Sequence, residues 1–172
     1  MRINLPVTLT EQLFSKDTLL ISTTDLKGRI VSCNQAFVEI SGYQREELVG
    51  QPHNLVRHPD MPAAAFENMW AHLKAGNAWM GLVKNRCKNG DYYWVDAYVM
   101  PIYENNQVVG YESVRSCPKR EDVARAESVY RSVQSSSINP KLPALLIKAL
   151  PWLVGLLASL LSGYFFGMFE AL

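Results

Sequence analysis

Cysteine is scarce in this chain, and what there is stands isolated. Cys33, Cys87 and Cys117 form no CxxC pair and total an odd number, which argues against a disulfide framework or a zinc site. The three fit reduced thiols of a cytosolic domain, and no secretory signal is read at the N-terminus, so secretion is not expected. An excess of charge of either sign is also missing. Seventeen Lys and Arg stand against 16 Asp and Glu, mixed along the chain, for a net charge of +1. With no basic stripe, nucleic acid is not an expected partner. The sequence lacks a nucleophile triad, a phosphate-cradling glycine loop and a paired acid and base. A binding or sensing module is expected, not an enzyme.

Hydrophobic residues make up 48% of the chain, enough for a core, but they are unevenly spread. Residues 149–169 read ALPWLVGLLASLLSGYFFGMF, without a charge. As a helix this run spans roughly 30 Å, about the thickness of a bilayer core. Lys141 and Lys148 precede it and Glu170 follows, so the positive-inside rule leaves the preceding domain in the cytoplasm. The alternative is a buried C-terminal hairpin of a soluble protein. Gly155, Ser159, Gly163 and Gly167 recur every four residues along one face, a pattern that lets a second helix approach closely and suggests a homodimer.

Ahead of this run the sequence divides into a polar N-terminal arm (1–16), a sensory-size domain (17–117) and a helical linker (118–148). TLLISTT (18–24), the turn Asp25–Gly28 and a second strand near 29–33 predict a hairpin. Asn34 opens a short helix ending at Gly42, and Gln44–Val49 a further helical turn closed by Gly50. Asp60 is the expected N-cap of a helix running to Ala75. Three strands then follow, Trp79–Lys88, Tyr92–Tyr103 and Gln107–Arg115, the first two joined by an Asn89-Gly90 turn. Lys119–Gln134 predicts an exposed helix with a partial stripe of Val123, Ala126, Val129, Tyr130 and Val133, and Ser135–Pro143 a Ser/Pro linker.

Two features point to a ligand. Pro52–Pro62, PHNLVRHPDMP, sets Arg57, His58 and Asp60 within four residues between prolines, a shaped polar surface suited to an anionic, polar-edged ligand. Strand alternation from Trp79 puts Trp79, Gly81, Val83, Asn85 and Cys87 on one face and Met80, Leu82, Lys84, Arg86 and Lys88 on the other. The three cations mark the second face as the outer one. Asn85 is then a carboxamide on an apolar face and must find partners, either local backbone or a ligand. Trp70, Trp79 and Phe66 are either plain core or the walls of a flat site. His53 and His72 show no partnering pattern and receive no role.

The runs TTDLKGRIVSCNQAFVEISGYQREELVGQPHNLVRHPDMP and VKNRCKNGDYYWV resemble the PAS sensory domain of bacterial aerotaxis receptors, over about residues 17–117. The resemblance implies an α+β PAS fold, a five-stranded antiparallel sheet with short helices on one face, followed by a C-terminal transmembrane helix. It implies non-covalent FAD, redox or oxygen status as the signal, the bacterial inner membrane with the PAS domain on the cytoplasmic side, and a HAMP or chemotaxis-type signalling partner outside these residues. Within it, Asn85 would meet the flavin's uracil edge, and Trp70, Trp79 and Phe66 would flank the ring. Arg57 and His58 would engage the pyrophosphate or ribose. Asp60 would cap the helix, orient a neighbour or accept from a ribose or adenine group. Asn34 would contact the ligand or simply cap its helix. LOV photosensors carry a reactive cysteine in an NCRFLQ-like run where this chain has HNLVRHPDM, so a light-driven adduct is not expected. Two other readings stand beside it: a haem-type PAS sensor with His58 or His72 as axial ligand, and a cofactor-free dimerisation or docking module.

Overall fold

A computed structural model describes residues 4–138. The apolar run 149–169, with its expected membrane span and small-residue ladder, lies outside the described residues. Among those residues no helix is long and apolar enough to cross a membrane. The elements run β1 (Leu20–Asp25), β2 (Ile30–Cys33), α1 (Gln35–Ser41), α2 (Arg45–Leu48), a 3₁₀ turn (His53–Val56), α3 (Ala63–Lys74), β3 (Trp79–Arg86), β4 (Tyr92–Glu104), β5 (Gln107–Ser116) and α4 (Arg120–Ile138). The strands form one antiparallel sheet in the order β2-β1-β5-β4-β3. The described residues form the expected α+β PAS part of the fold, a five-stranded antiparallel sheet with short helices.

Local chemistry fixes these boundaries. Asn34 caps α1, its side chain accepting from the Phe37 amide, and Gly42 closes the helix with φ 70°, a left-handed value that glycine adopts without penalty. The Gln44 amide donates to Glu47 Oε2 at 2.9 Å to start α2. In the β3–β4 turn, Asn89 Oδ1 accepts from the Asp91 amide at 3.0 Å. One boundary differs from the sequence reading. The third helix begins at Ala63 behind Pro62, with no side-chain cap, while the Asp60 carboxylate turns to Lys84 Nζ at 2.8 Å. A charged partner outcompetes the backbone amides that an N-cap would satisfy. Helix α4 also runs past Gln134 to Ile138, because no proline interrupts the chain before Pro140.

Helices α1 to α3 cover one sheet face around a core that includes Leu20, Ile30, Phe37, Leu48, Met61, Leu73, Tyr93 and Val95. The other face carries α4, where Tyr130 stacks on Trp94 at 6.4 Å and its hydroxyl donates to Leu82 O at 2.7 Å. That outer face is less solvated than its three cations suggest. Arg86 is buried and donates to Pro6 O at 2.6 Å, to Tyr43 Oη at 3.2 Å and to Lys88 O at 3.3 Å. The N-terminal arm, featureless as sequence, lies over it in extended form and pairs with Tyr92 through Thr10 O and the Gln12 amide.

The centre of the sheet tolerates no extra atom at Gly110. A Cβ there would stand 2.3 Å from Thr24 O, a backbone oxygen of the neighbouring strand. Gly110→Ala is expected to destabilise the fold by about 1–3 kcal/mol, seen as a lower urea midpoint at an unchanged m-value.

Candidate functional site

Between α3 and the inner sheet face lies a cavity of about 340 Å³, near the small end of the roughly 300–1,000 Å³ typical of ligand sites. Alternation builds its floor. Trp79, Val83 and Asn85 of β3, Ala97 and Val99 of β4, and Tyr111, Ser113 and Arg115 of β5 all face inward and line it. Phe66, Met69, Trp70 and Leu73 supply the α3 wall at helical spacing, and Pro52, His53, Asn54 and Arg57 close a third side.

The aromatic walls are held from behind. The Trp79 indole Nε1 donates to Asn68 Oδ1 at 2.9 Å, and its ring lies across Gly81, where a Cβ would come within 2.5 Å of it. Trp70 meets Tyr111 edge-on, with ring centroids 5.4 Å apart. Both indoles are therefore fixed planar surfaces, suited to a flat ligand by offset or edge stacking.

Polar groups at the cavity are donor-rich and incompletely paired. Asn85 is 4% exposed, and its Nδ2 stands near the buried Tyr93 hydroxyl across the β3–β4 pair without a well-formed hydrogen bond. Arg57 sits with its guanidinium 4.6 Å from the Phe66 ring centroid and donates to Met61 O through Nη2, leaving Nε unpaired. Arg115, also buried, donates through Nη2 to Ser22 Oγ at 2.7 Å and His53 Nε2 at 2.6 Å, while Nη1 is unpaired. Among the described residues no carboxylate pairs with either arginine within ion-pair distance. Burial pulls the Arg115 pKa down to about 10, so it stays cationic at neutral pH.

His53 completes this group. Because Arg115 can only donate, His53 Nε2 must accept, and the network assigns the ring proton to Nδ1. Burial and the Arg115 charge push its pKa down to about 3, so the ring is neutral. It stacks on Phe37 with centroids 5.8 Å apart and planes 18° from parallel. Buried donors without acceptors are costly. An apolar slot that gathers three of them suits a planar, acceptor-rich ring with a carbonyl or anionic edge.

The structure brings together five of the expected residues, Arg57, Phe66, Trp70, Trp79 and Asn85. It places three elsewhere. Asn34 gives its carboxamide to the backbone, accepting from Ile21 and Phe37 amides and donating to Leu19 O at 2.7 Å. Arg57 pairs with Asn85 as an isolated bridge, and in extended chain the next side chain faces the other way. His58 therefore points away from the cavity, edge-on to Tyr92 at 5.9 Å, with Nδ1 accepting from the Asp60 amide. Asp60 is exposed beside Lys84. Arg57 itself is sealed into the wall at 7% exposure, a position that suits a ring edge better than a solvated pyrophosphate. His53, to which the sequence assigns no role, and Arg115, which it does not single out, form the cavity's strongest polar cluster. Arg115 shares its strand face with Tyr111 and Ser113, a pattern visible in YESVRS. Nothing in HNLV marks His53.

Residues 30–115 match a family described as the PAS fold. Among curated proteins, the aerotaxis receptor of Escherichia coli (strain K12) is 46% identical over 137 residues, 80% of this chain and 27% of that protein. The nitrogen fixation regulatory protein of Klebsiella pneumoniae is 30% identical over 85 residues, 49% of this chain and 17% of that one. This chain thus spans about a quarter or less of either. Among solved structures, the dark structure of the blue-light photoreceptor Aureochrome1 LOV superposes with a TM-score of 0.58 at 17% identity, covering 67% of this chain and 86% of that one, a likeness of fold. The chain belongs to the PAS family, and its sensory domain is similar to that of the aerotaxis receptor.

Proposed function

We propose that the cavity binds the isoalloxazine ring of FAD and that the chain is a sensor of redox or oxygen status in aerotaxis-type signal transduction. The observation that carries this reading is that Asn85, Arg57 and Arg115, each with a buried donor lacking a well-formed hydrogen bond, line one aromatic-walled slot. Asn85 offers a donor and an acceptor on a single side chain, matching the alternating edge of a flavin pyrimidine. Arg115 presents a fixed positive charge in a low-dielectric pocket, where it favours a ligand edge that carries or gains negative charge. Neutral His53 keeps that guanidinium in place by accepting from it. Trp70 and Trp79 exclude water from the flat faces. The flavin, when bound, supplies reversible electron uptake coupled to protonation. A cavity of about 340 Å³ suits a ring system, and the nucleotide end of FAD would lie outside it.

The chain would be anchored in the bacterial inner membrane by residues 149–169 and paired as a homodimer, with the PAS domain on the cytoplasmic side. It would act by binding, not by catalysis, and pass its state to a HAMP or chemotaxis-type module. Neither histidine expected to serve haem lines the cavity. His58 faces away, and His72 is exposed on α3 with Nδ1 2.9 Å from Asn68 O. A docking module without cofactor has no use for unpaired donors in a slot.

The test is the visible spectrum of the full chain purified in detergent, before and after dithionite. Flavin bands that bleach on reduction, with FAD released on heating, are expected. A Soret band, or a colourless folded protein that takes up no added FAD, overturns the reading.

A further inference from the structure

The third wall of the cavity is a belt of chain crossing the sheet face from one edge to the other. At the β2 edge it is tied by a bridge between Arg29 and Pro52 and by the His53 amide donating to Gly28 O at 2.8 Å. At the β3 edge it is tied by the Arg57–Asn85 bridge and by the His58 amide donating to Lys84 O at 3.3 Å. Three residues of this belt line the cavity, His53 and Arg57 at its anchored ends and Asn54 between them. A suspended segment with fixed ends needs support in the middle if its side chains are to hold their positions.

That support comes from outside the domain as read in sequence. Asn4, 6% exposed, donates its side-chain amide to Asn54 O at 2.8 Å and to Arg57 O at 2.9 Å. Both amide hydrogens are thereby used on carbonyls of cavity-lining residues, yet Asn4 is not itself a lining residue. The arm that carries it is clamped farther along. Arg86 donates to Pro6 O, the Thr8 amide to Gly90 O at 2.8 Å, and Thr8 Oγ1 to Asp91 Oδ1 at 2.6 Å. A Cβ at Gly90 would stand 2.9 Å from Pro6 O, so the arm has a fitted seat.

We infer that Asn4 is a positioning residue of the cavity, setting Asn54 and Arg57 through their carbonyls so that ligand retention depends on the N-terminal arm. The ligand in this inference rests on the flavin reading above. The structural demand on Asn4 does not. A buried side chain donating twice to one short segment removes the segment's freedom to swing. Loss of Asn4 strips Arg57 O of its donor and leaves Asn54 O with only the Arg57 amide at 3.2 Å, which lets Arg57 drift from Asn85 beside it.

The experiment compares Asn4→Ala with Thr8→Val in the full chain. Thr8→Val removes an arm bond of similar kind that touches no belt residue. FAD affinity is measured by equilibrium dialysis, and amide exchange at His53, Arg57 and His58 is followed in the ligand-free protein. Asn4→Ala is expected to weaken FAD binding about tenfold and to speed belt exchange about tenfold, with Thr8→Val near wild type in both. Equal behaviour of the two variants overturns the inference, since the arm would then add only general stability. Should wild type take up no FAD, the flavin reading falls, and belt exchange alone decides the role of Asn4. If Asn4→Ala does not fold, Asn4→Ser keeps one donor and gives the same comparison with a smaller change.

Discussion

Replacing Arg115 with methionine is expected to remove the ligand and at the same time raise the thermal midpoint of the ligand-free protein. Arg115 is 3% exposed and, among the described residues, has no carboxylate partner. Its depressed pKa records the desolvation it suffers. Exchanging buried ionic groups for apolar side chains of similar volume is neutral to stabilising by about 1–4 kcal/mol, and methionine is flexible enough to fill the space. The opposing effect is the loss of a donor to His53 Nε2 and Ser22 Oγ. These two atoms lie 3.2 Å apart, so the serine hydroxyl can donate to the ring and leave little unsatisfied. The apolar gain should win. Calorimetry of the ligand-free variant and its flavin content after purification decide the matter. A variant that is less stable and still loaded would show that Arg115 is a structural cation instead of a ligand-facing one.

Mild acid should destabilise the protein before most of its carboxylates titrate. His58 is buried and His53 half-buried against Arg115, and both are neutral, with pKa values lowered from 6.5 to about 4 and about 3 respectively. In each case desolvation is the main cause, aided by Arg115 for His53 and by Lys84 for His58. The unfolded chain takes up protons at both positions below pH 6.5, whereas the folded chain refuses them until near 4 and 3. Stability is therefore lost as pH falls through the window from about 6.5 to 4. Two extra protons in the unfolded state give a slope of at most about 2.7 kcal/mol per pH unit. Against a typical domain stability of 5–15 kcal/mol, about two pH units suffice to unfold a domain at the low end. Urea midpoints between pH 7 and pH 5 check this, and His58→Gln should flatten the slope by about half. A midpoint that does not move over that range would mean that both rings take up protons in the folded state as they do in the unfolded one.

Much of the scaffold was legible because its signals are local. Asn34 before an apolar turn, Asn89-Gly90 between two strands, and the alternation from Trp79 to Asn85 each need only a few residues. The cavity was half legible for the same reason: Asn85, Trp79, Trp70 and Phe66 each sit on a face that periodicity reveals. What failed was whatever depends on two distant segments meeting. Arg57 and His58 are neighbours in sequence and looked like one binding patch, but the pairing of Arg57 with Asn85 sends them to opposite sides. Asp60 looked like a cap until Lys84 claimed it. His53 and Arg115 are 62 residues apart and neither is remarkable alone. The arm from Asn4 to Gln12 has no periodicity to read, because hydrogen bonds between side chains and backbone, not buried apolar residues, hold it in place.

The cavity's innermost cation also lies close to the way out. From Arg115 to Arg120, where α4 begins, is five steps of chain, about 17 Å at full stretch. That stretch includes Pro118, which is buried and fixed in φ. A tether so short and stiff has little slack. Any shift of the end of β5 must be taken up almost at once by the first turn of α4, whereas a shift of α3 must cross the sheet before it reaches that helix. The start of α4 is thus geared to the end of β5, the strand that carries Arg115.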